Sequence, residues 1–446
     1  MYDMLFVNVR FFTALLDNFA ANNTALSAFL KFLIKNKALN YPLFRSYLLF
    51  RFTLILALNM QMAVISYMVY RLTKDELSLG MLGLAEVIPA VGCSMFSGHL
   101  VDRKEKRGLL LVCTIGYLVL TSFFIFLSLP SFQSNAGIGV VKWLIYLGIF
   151  IGGALRAFLS PSAFSLFGLI IPRRLYAGAT TWSSTSWQLG AVFGPLLGGT
   201  MIALTDFKSS LFTVMLVEII SLIAILRIPK QIVLLKEKEP VLKSLAEGLR
   251  FVFSTQIVLA ALALDMFAVL FGGGVALLPV FADDILKVGE VGFGWLRAAP
   301  GIGSIITLLL LSVIPLRTKP GIKLLFCIAG FGVTTILFGI SDWFLLSFFM
   351  LLIGGMFDAV SVVIRGTILQ LYTPDQMRGR VAAVNTMFIS SSNELGALES
   401  GLTAKWMGTA TAVVFGGAMT LMVAAVSYFR APTLKRLDFN KAANDK

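Results

Sequence analysis

The chain has 446 residues, of which 58% are hydrophobic and only 13% charged, where an ordinary globular domain is about 45–50% apolar and about 25% charged. That balance excludes a soluble enzyme and leaves room for little besides membrane helices, each of which needs about 20 mostly apolar residues. A formal charge of +14 would point a soluble chain toward nucleic acid; in a membrane chain it asks instead on which face the cations lie, and no nucleic-acid partner is expected.

In chain order, residues 1–42 come first, apolar but broken by Asp3, Arg10 and Asp17 and ending near Lys35 and Lys37. No small-residue cleavage site follows a clean apolar run, so this stretch reads as a cytoplasmic or interfacial amphipathic segment, or as a start codon placed too early. Six spans are predicted within 43–228, at 43–70, 78–100, 108–128, 142–171, 176–204 and 209–228. Residues 229–255, with Lys236, Glu237, Lys238, Glu239, Pro240, Lys243 and Arg250 among apolar positions at helical spacing, form a cytoplasmic linker. Six more spans fill 256–430, at 256–281, 291–316, 321–340, 343–372, 381–405 and 408–430, and 431–446 is a basic tail. With the amino terminus placed in the cytoplasm, the segments on that side hold 26 Lys and Arg against 6 on the other. Such an excess is the positive-inside signal, so both termini are expected in the cytoplasm. Cys93, Cys113 and Cys327 lie far apart in apolar runs and offer neither a disulfide framework nor a metal spacing. No metal or cofactor is expected, and His99, the single histidine, belongs to a loop.

The two halves repeat. A shift of 202 residues lays Ile151-Gly152-Gly153 on Ile353-Gly354-Gly355, Pro172 on Pro374, Gly194 on Gly396 and Gly199 on Gly401; a shift of 211 lays Gly83, Pro89 and Gly92 on Gly294, Pro300 and Gly303. Parallel six-span repeats about an axis along the membrane normal are a transporter architecture, with the substrate site near the midplane. The expected fold is therefore an all-α integral membrane protein of twelve transmembrane helices in two pseudo-symmetric six-helix bundles.

Three segments carry more specific information. The connection after span 2 reads Gly98-His99-Leu100-Val101-Asp102-Arg103-Lys104-Glu105-Lys106-Arg107. Span 5 carries Gly190, Gly194, Pro195, Gly198 and Gly199, small residues that let backbones approach closely, with a proline that removes one ladder hydrogen bond. Arg156 to Pro161, Ala276 to Phe281 and Thr373 to Arg380 complete the set. In these segments the chain resembles the major facilitator superfamily, and within it the branch of proton-driven drug and siderophore exporters that contains the enterobactin exporter. The likeness runs from about residue 41 to residue 430. It implies that Gly98, Asp102, Arg103, Lys106 and Arg107 form the loop latch that holds the halves together in one state, although Glu105 stands where the family has glycine. It also implies that the span 5 glycines form the motif of antiporter-type exporters, although Thr181 replaces one glycine.

Ionisable groups inside spans cost about 2.5–3.5 kcal/mol each at a helix centre on insertion scales, so they are by default paired or functional. Glu86, Arg156, Asp265, Arg297, Asp358, Arg365 and Glu394 are the candidates for proton coupling and substrate contact. The repeat aligns Glu86 with Arg297 and Arg156 with Asp358, which leads us to expect exchangeable pairs near the central cavity. Asp265, shortly before Gly272-Gly273-Gly274, is either the proton site or the fixed partner of an arginine. Arg365 either binds an anionic group or pairs with Asp358 on its own helix. Glu394 shares a helical face with Ser390 and Ser391 and is a second coupling candidate, whereas Glu218, alone in span 6, reads as packing. Arg45 and Arg51 read as snorkelling to the cytoplasmic surface.

The expected function is secondary active transport, as a proton-coupled antiporter that exports small molecules such as drugs or siderophores from a bacterial cytoplasm across the inner membrane, acting as a monomer. Import or lysolipid flipping by the same fold is the alternative. A membrane-embedded enzyme is disfavoured, because there is one histidine, no HExxH and no phosphate-cradling loop.

Overall fold

Short polar residues set where the helices of this chain begin. In a computed structural model that describes residues 37–172, 175–230, 241–313, 319–374, 377–430, 432–435 and 437, α1 (Pro42–Thr73) opens on a proline, whose missing N–H is no loss in a first turn. α2 (Glu76–Arg103) is capped by Asp75, which accepts from the Ser78 backbone N–H at 3.0 Å. Glu105 caps α3 (Lys106–Leu127), accepting from the N–H groups of Arg107 at 3.0 Å and Gly108 at 2.7 Å. The glutamate that departs from the family pattern thus stops α2 and starts α3. α4 (Ile138–Ile170) and α5 (Tyr176–Leu204) follow, and Asp206 caps α6 (Phe207–Leu226) through Ser209 N–H at 2.6 Å. That bond holds the Asp206 carboxyl below its ordinary 3.8.

A linker helix, Val241–Ser254, leads into the second half. α7 (Gln256–Gly272) stops at the glycine triplet and continues as a short 3₁₀ turn, Gly274–Leu277, and then a π-type turn, Phe281–Ile285. α8 (Gly289–Val313), α9 (Pro320–Gly339), α10 (Phe344–Tyr372), α11 (Arg378–Met407) and α12 (Thr409–Arg430) complete the fold.

Within the first half α1 packs on α5 and α6, α2 on α4, and α3 on α4 and α6; adding six to every number gives the pairings of the second half. The halves meet along two seams, α2 against α11 and α5 against α8, which the same operation exchanges. Glycine permits both. A Cβ on Gly401 of α11 would stand 2.9 Å from the Gly80 Cα of α2, and one on Gly199 of α5 would stand 2.9 Å from the Gly294 Cα of α8. Gly190 and Gly194 face the other way, so that a Cβ on Gly194 would lie 2.8 Å from the Leu56 carbonyl oxygen of α1. Pro195 lies inside the continuous α5.

Large apolar side chains stand outward, as at Val112 and Val119 of α3, 64% and 63% exposed. A water-facing surface avoids such patches, and a bilayer-facing one requires them. By length and hydropathy eleven helices suffice to cross a membrane among the described residues. The twelfth, α11, has the length at 30 residues but is more polar, carrying the Ser390-to-Glu394 run. Residues 1–36, where the amino-terminal segment was expected, lie outside the described residues, as does 231–240 of the linker.

Candidate functional site

α2, α4, α8 and α11 bring four of the predicted ionisable residues together. Glu86 of α2 is ion-paired with Arg156 of α4, and the same guanidinium nitrogen, Nη1, stands 3.8 Å from Glu394 Oε1 of α11. Arg297 of α8 is within electrostatic reach of both Glu394 and Glu86. Arg156 lies deep among the helices, yet its side chain is 58% exposed. A group surrounded by protein at long range but open at its own surface borders an internal cavity. The cluster joins the halves, since Glu86 and Arg156 belong to the first and Glu394 and Arg297 to the second. Arg156 does not meet Asp358; its charge is met by Glu86 from the neighbouring helix and by Glu394 across the α2/α11 seam, because α2 packs on both α4 and α11.

A second set lies wholly in the second half. Asp265 of α7 is ion-paired with Arg365 of α10, both side chains about 95% buried. The partner of Arg365 is Asp265 rather than Asp358, which is within electrostatic reach of both. Asp265 Oδ1 and Arg365 Nε have no hydrogen-bond partner among the described residues.

The end of the molecule remote from the chain termini is held shut by bonds between the halves. Arg71 pairs with Asp283 at 3.1 Å and Glu290 at 2.7 Å, and Lys74 with Asp283 at 2.9 Å and Asp284 at 3.3 Å. Tyr67 donates to Asp283 at 2.6 Å, and Tyr70 donates to Asp284. Lys405 stands 3.8 Å from Asp75. The bond to Asp283 holds the Lys74 ammonium above its ordinary 10.5. These bonds shut the central cluster off from that end.

Sequence reading did not find this lock. Each of its charges sits beside a loop, where a solvated residue is the ordinary reading; the usable signal was the acidic pair Asp283-Asp284 and the basic Arg71 to Lys74 at the same end of the two halves. It also read Glu218 as mere packing. Glu218 is fully buried and accepts from Thr121 Oγ1 at 2.9 Å, and that hydroxyl accepts from Gln61 at 2.6 Å. Arg51 does not simply snorkel: its Nε donates to the Ser183 carbonyl of α5 at 3.1 Å.

In the loop motif, the side chains of Asp102 and Arg103, and Gly98, lie outside the described positions. Lys106 donates to the Lys104 carbonyl at 3.0 Å, and Arg107 donates to the Ile225 and Leu226 carbonyls, closing the end of α6. Arg107 is thus engaged inside its own half.

Two charged clusters between packed helices, a repeated six-helix plan and an end shut by ion pairs between the halves define a membrane transporter of the major facilitator fold, which moves small molecules and is not an enzyme. Comparison with known proteins agrees. The family model described as "Transmembrane secretion effector" matches residues 39–445, and the chain belongs to that family. It is 25% identical over 408 residues to the enterobactin exporter EntS of Escherichia coli, covering 87% of this chain and 94% of that one. The similarity to EntS of Shigella boydii is 26% over 388 residues, 84% and 89% of the two chains. Among solved structures, a bacterial homolog of the human lysosomal transporter Spinster, inward-facing and unoccupied, superposes with a TM-score of 0.64 at 18% identity, covering 88% of this chain and 98% of that one. The D-xylose-proton symporter gives 0.67 at 11% identity, with 90% and 100% covered. These structures share the fold.

Proposed function

We propose that this chain is a proton-coupled exporter, an antiporter that carries small molecules out of a bacterial cytoplasm across the inner membrane by alternating access, as a monomer with both termini cytoplasmic. The observation that carries the reading is Glu394 standing 3.8 Å from Arg156 across the seam between the halves. An attraction of this kind depends on the carboxylate charge: a proton on Glu394 removes it, loosening the α2/α11 seam at the level of the cavity. The shut end then faces the outside, and the cavity with Arg156, Arg297, Glu86 and Glu394 opens toward the cytoplasm, where cargo enters. Asp265, Arg365 and Asp358 form a second charged set whose bond ties α7 to α10 as the half rocks. The loop residues Gly98, Asp102, Arg103, Lys106 and Arg107 become the latch of the opposite state, when the cytoplasmic ends close. The α5 glycines, Gly190 to Gly199, let that helix roll against α1 and α8. Similarity to the enterobactin exporters supports export and a siderophore or drug as cargo.

Inside-out membrane vesicles test this. Radiolabelled enterobactin and ethidium serve as probes, and a vesicle lumen made acidic is the driving condition, because protons leaving the lumen then exchange for cargo entering it. Accumulation of a probe that collapses when the gradient is dissipated, and falls about tenfold or more in Glu394→Gln, is the expected result. Gradient-driven loss of probe from the lumen would establish import instead.

A further inference from the structure

The central cluster also states what kind of group it receives. Its two carboxylates, Glu86 and Glu394, and two guanidinium groups, Arg156 and Arg297, cancel in charge. Within it hydrogen-bonding capacity is left over on both sides. Arg156 uses Nη1 for Glu86 and for the approach to Glu394, while its Nε and Nη2 hydrogens, which lie side by side in the guanidinium plane, have no partner among the described contacts. Its side chain is 58% exposed to the cavity. Glu394 meets Arg156 through Oε1, and its Oε2 has no hydrogen-bond partner among the described residues, on a side chain 20% exposed. Arg297 makes no hydrogen bond or ion pair among the described contacts. The cavity therefore presents a donor fork and, next to it, an acceptor oxygen, against a neutral background.

The structure assigns the cargo a net-uncharged head that carries a hydrogen-bond acceptor and a donor side by side, as in a carboxamide, a urea or a vicinal hydroxyl pair, the acceptor docking on the Arg156 fork and the donor on Glu394. An anionic head would gain the fork but meet Glu86 and Glu394, and a cationic head would gain Glu394 but meet Arg156 and Arg297; like charges set against each other disfavour both. An uncharged head with both functions leaves neither the fork nor the oxygen unpaired, and the discrimination follows from the cost of leaving buried polar groups unsatisfied. This assignment rests on the proposed exchange cycle and explains its coupling. The Glu394 oxygen that accepts from the cargo is the one that a proton would occupy, so proton and cargo compete for one group, which is the condition for exchange rather than co-transport.

The test uses the full-length protein in lipid nanodiscs and three probes that share one dansylated alkyl chain, ending in a primary carboxamide, a carboxylate or an ammonium. Dansyl fluorescence is read against protein-free nanodiscs, and the same probes are followed in inside-out vesicles. The carboxamide is expected to bind about tenfold or more tightly than either charged probe near neutral pH. Arg156→Lys, which keeps the charge but loses the planar fork, should weaken it about tenfold. Acidification should weaken carboxamide binding to the natural protein and leave Glu394→Gln unmoved, which keeps the assignment testable if Arg156→Lys does not fold. Equal or tighter binding of a charged probe, or an unaltered affinity in Arg156→Lys, would overturn the assignment. The two readings fail separately: gradient-driven accumulation of a charged probe preferred over the carboxamide leaves antiport standing and removes the head assignment, whereas carboxamide preference with no gradient-driven movement of any probe does the reverse.

Discussion

Glu218 shows what a buried carboxylate does when no cation meets it. Thr121 donates to one of its oxygens and the other has no partner among the described residues, so a charge there stabilises nothing that they show within reach. Glu218→Gln keeps an acceptor for the Thr121 hydroxyl and removes a desolvated acid, and its melting temperature should equal or exceed that of the natural protein. Thr121→Ala removes the link between Gln61 and Glu218 and should cost about 1–3 kcal/mol. Thermal unfolding in detergent measures both; a large loss of stability in Glu218→Gln would show that the charge itself is needed. The sequence marked every intramembrane charge at this scale, since twenty-residue apolar runs make a lone acid conspicuous. It could not say which arginine each acid meets. Arg365 lies seven residues after Asp358 on one helix, but its partner, Asp265, comes from another, and partners across helices are fixed by packing rather than by spacing along a chain.

At the scale of elements, boundaries follow local chemistry: Asp75, Glu105 and Asp206 cap the helices they precede, and Gly272 ends α7 nine residues before the predicted end of its span. What remained hidden was the direction in which each glycine faces. Gly194 and Gly199 stand five residues apart in one motif, but the first meets α1 and the second meets α8 across the seam. Substitution should separate the two roles. Gly194→Leu presses on the α1 backbone inside one half and should lower the yield of folded protein. Gly401→Ala places a methyl 2.9 Å from the Gly80 Cα and the Glu76 carbonyl oxygen at the other seam. It should slow transport several-fold while leaving each half folded, as followed by size-exclusion profile and vesicle uptake. Normal turnover in Gly401→Ala would show that close approach along this seam is not required. The cap at Asp206 and the lock at Lys74 also define how pH acts on elements. Asp206, held below its ordinary 3.8, contributes fully above that value and loses its contribution as pH falls through the lowered one. Lys74, held above 10.5, contributes fully below that value and loses it only as pH rises through the raised one. Between about pH 5 and about pH 9 both are constant, so a pH dependence of transport in that window belongs to other groups.

For the molecule as a whole, twofold repetition was readable as matched glycines and prolines. The shut end was not, because Arg71, Lys74, Asp283, Asp284 and Glu290 become a lock only when two halves more than 200 residues apart in sequence are brought together. In the proposed cycle that lock and the charged cluster behind it belong to one state of a rocking pair. The most direct test is a pair of distances measured by double electron–electron resonance on the reconstituted protein. One spin-label pair, at Ser134 and Asp342, spans the shut end; the other, at Arg227 and Phe253, spans the end that carries the termini. With Asp283 and Asp284 both changed to asparagine, or on acidification, the first distance should lengthen while the second shortens. Distances that stay fixed, or that lengthen together at both ends, would contradict alternating access in this protein.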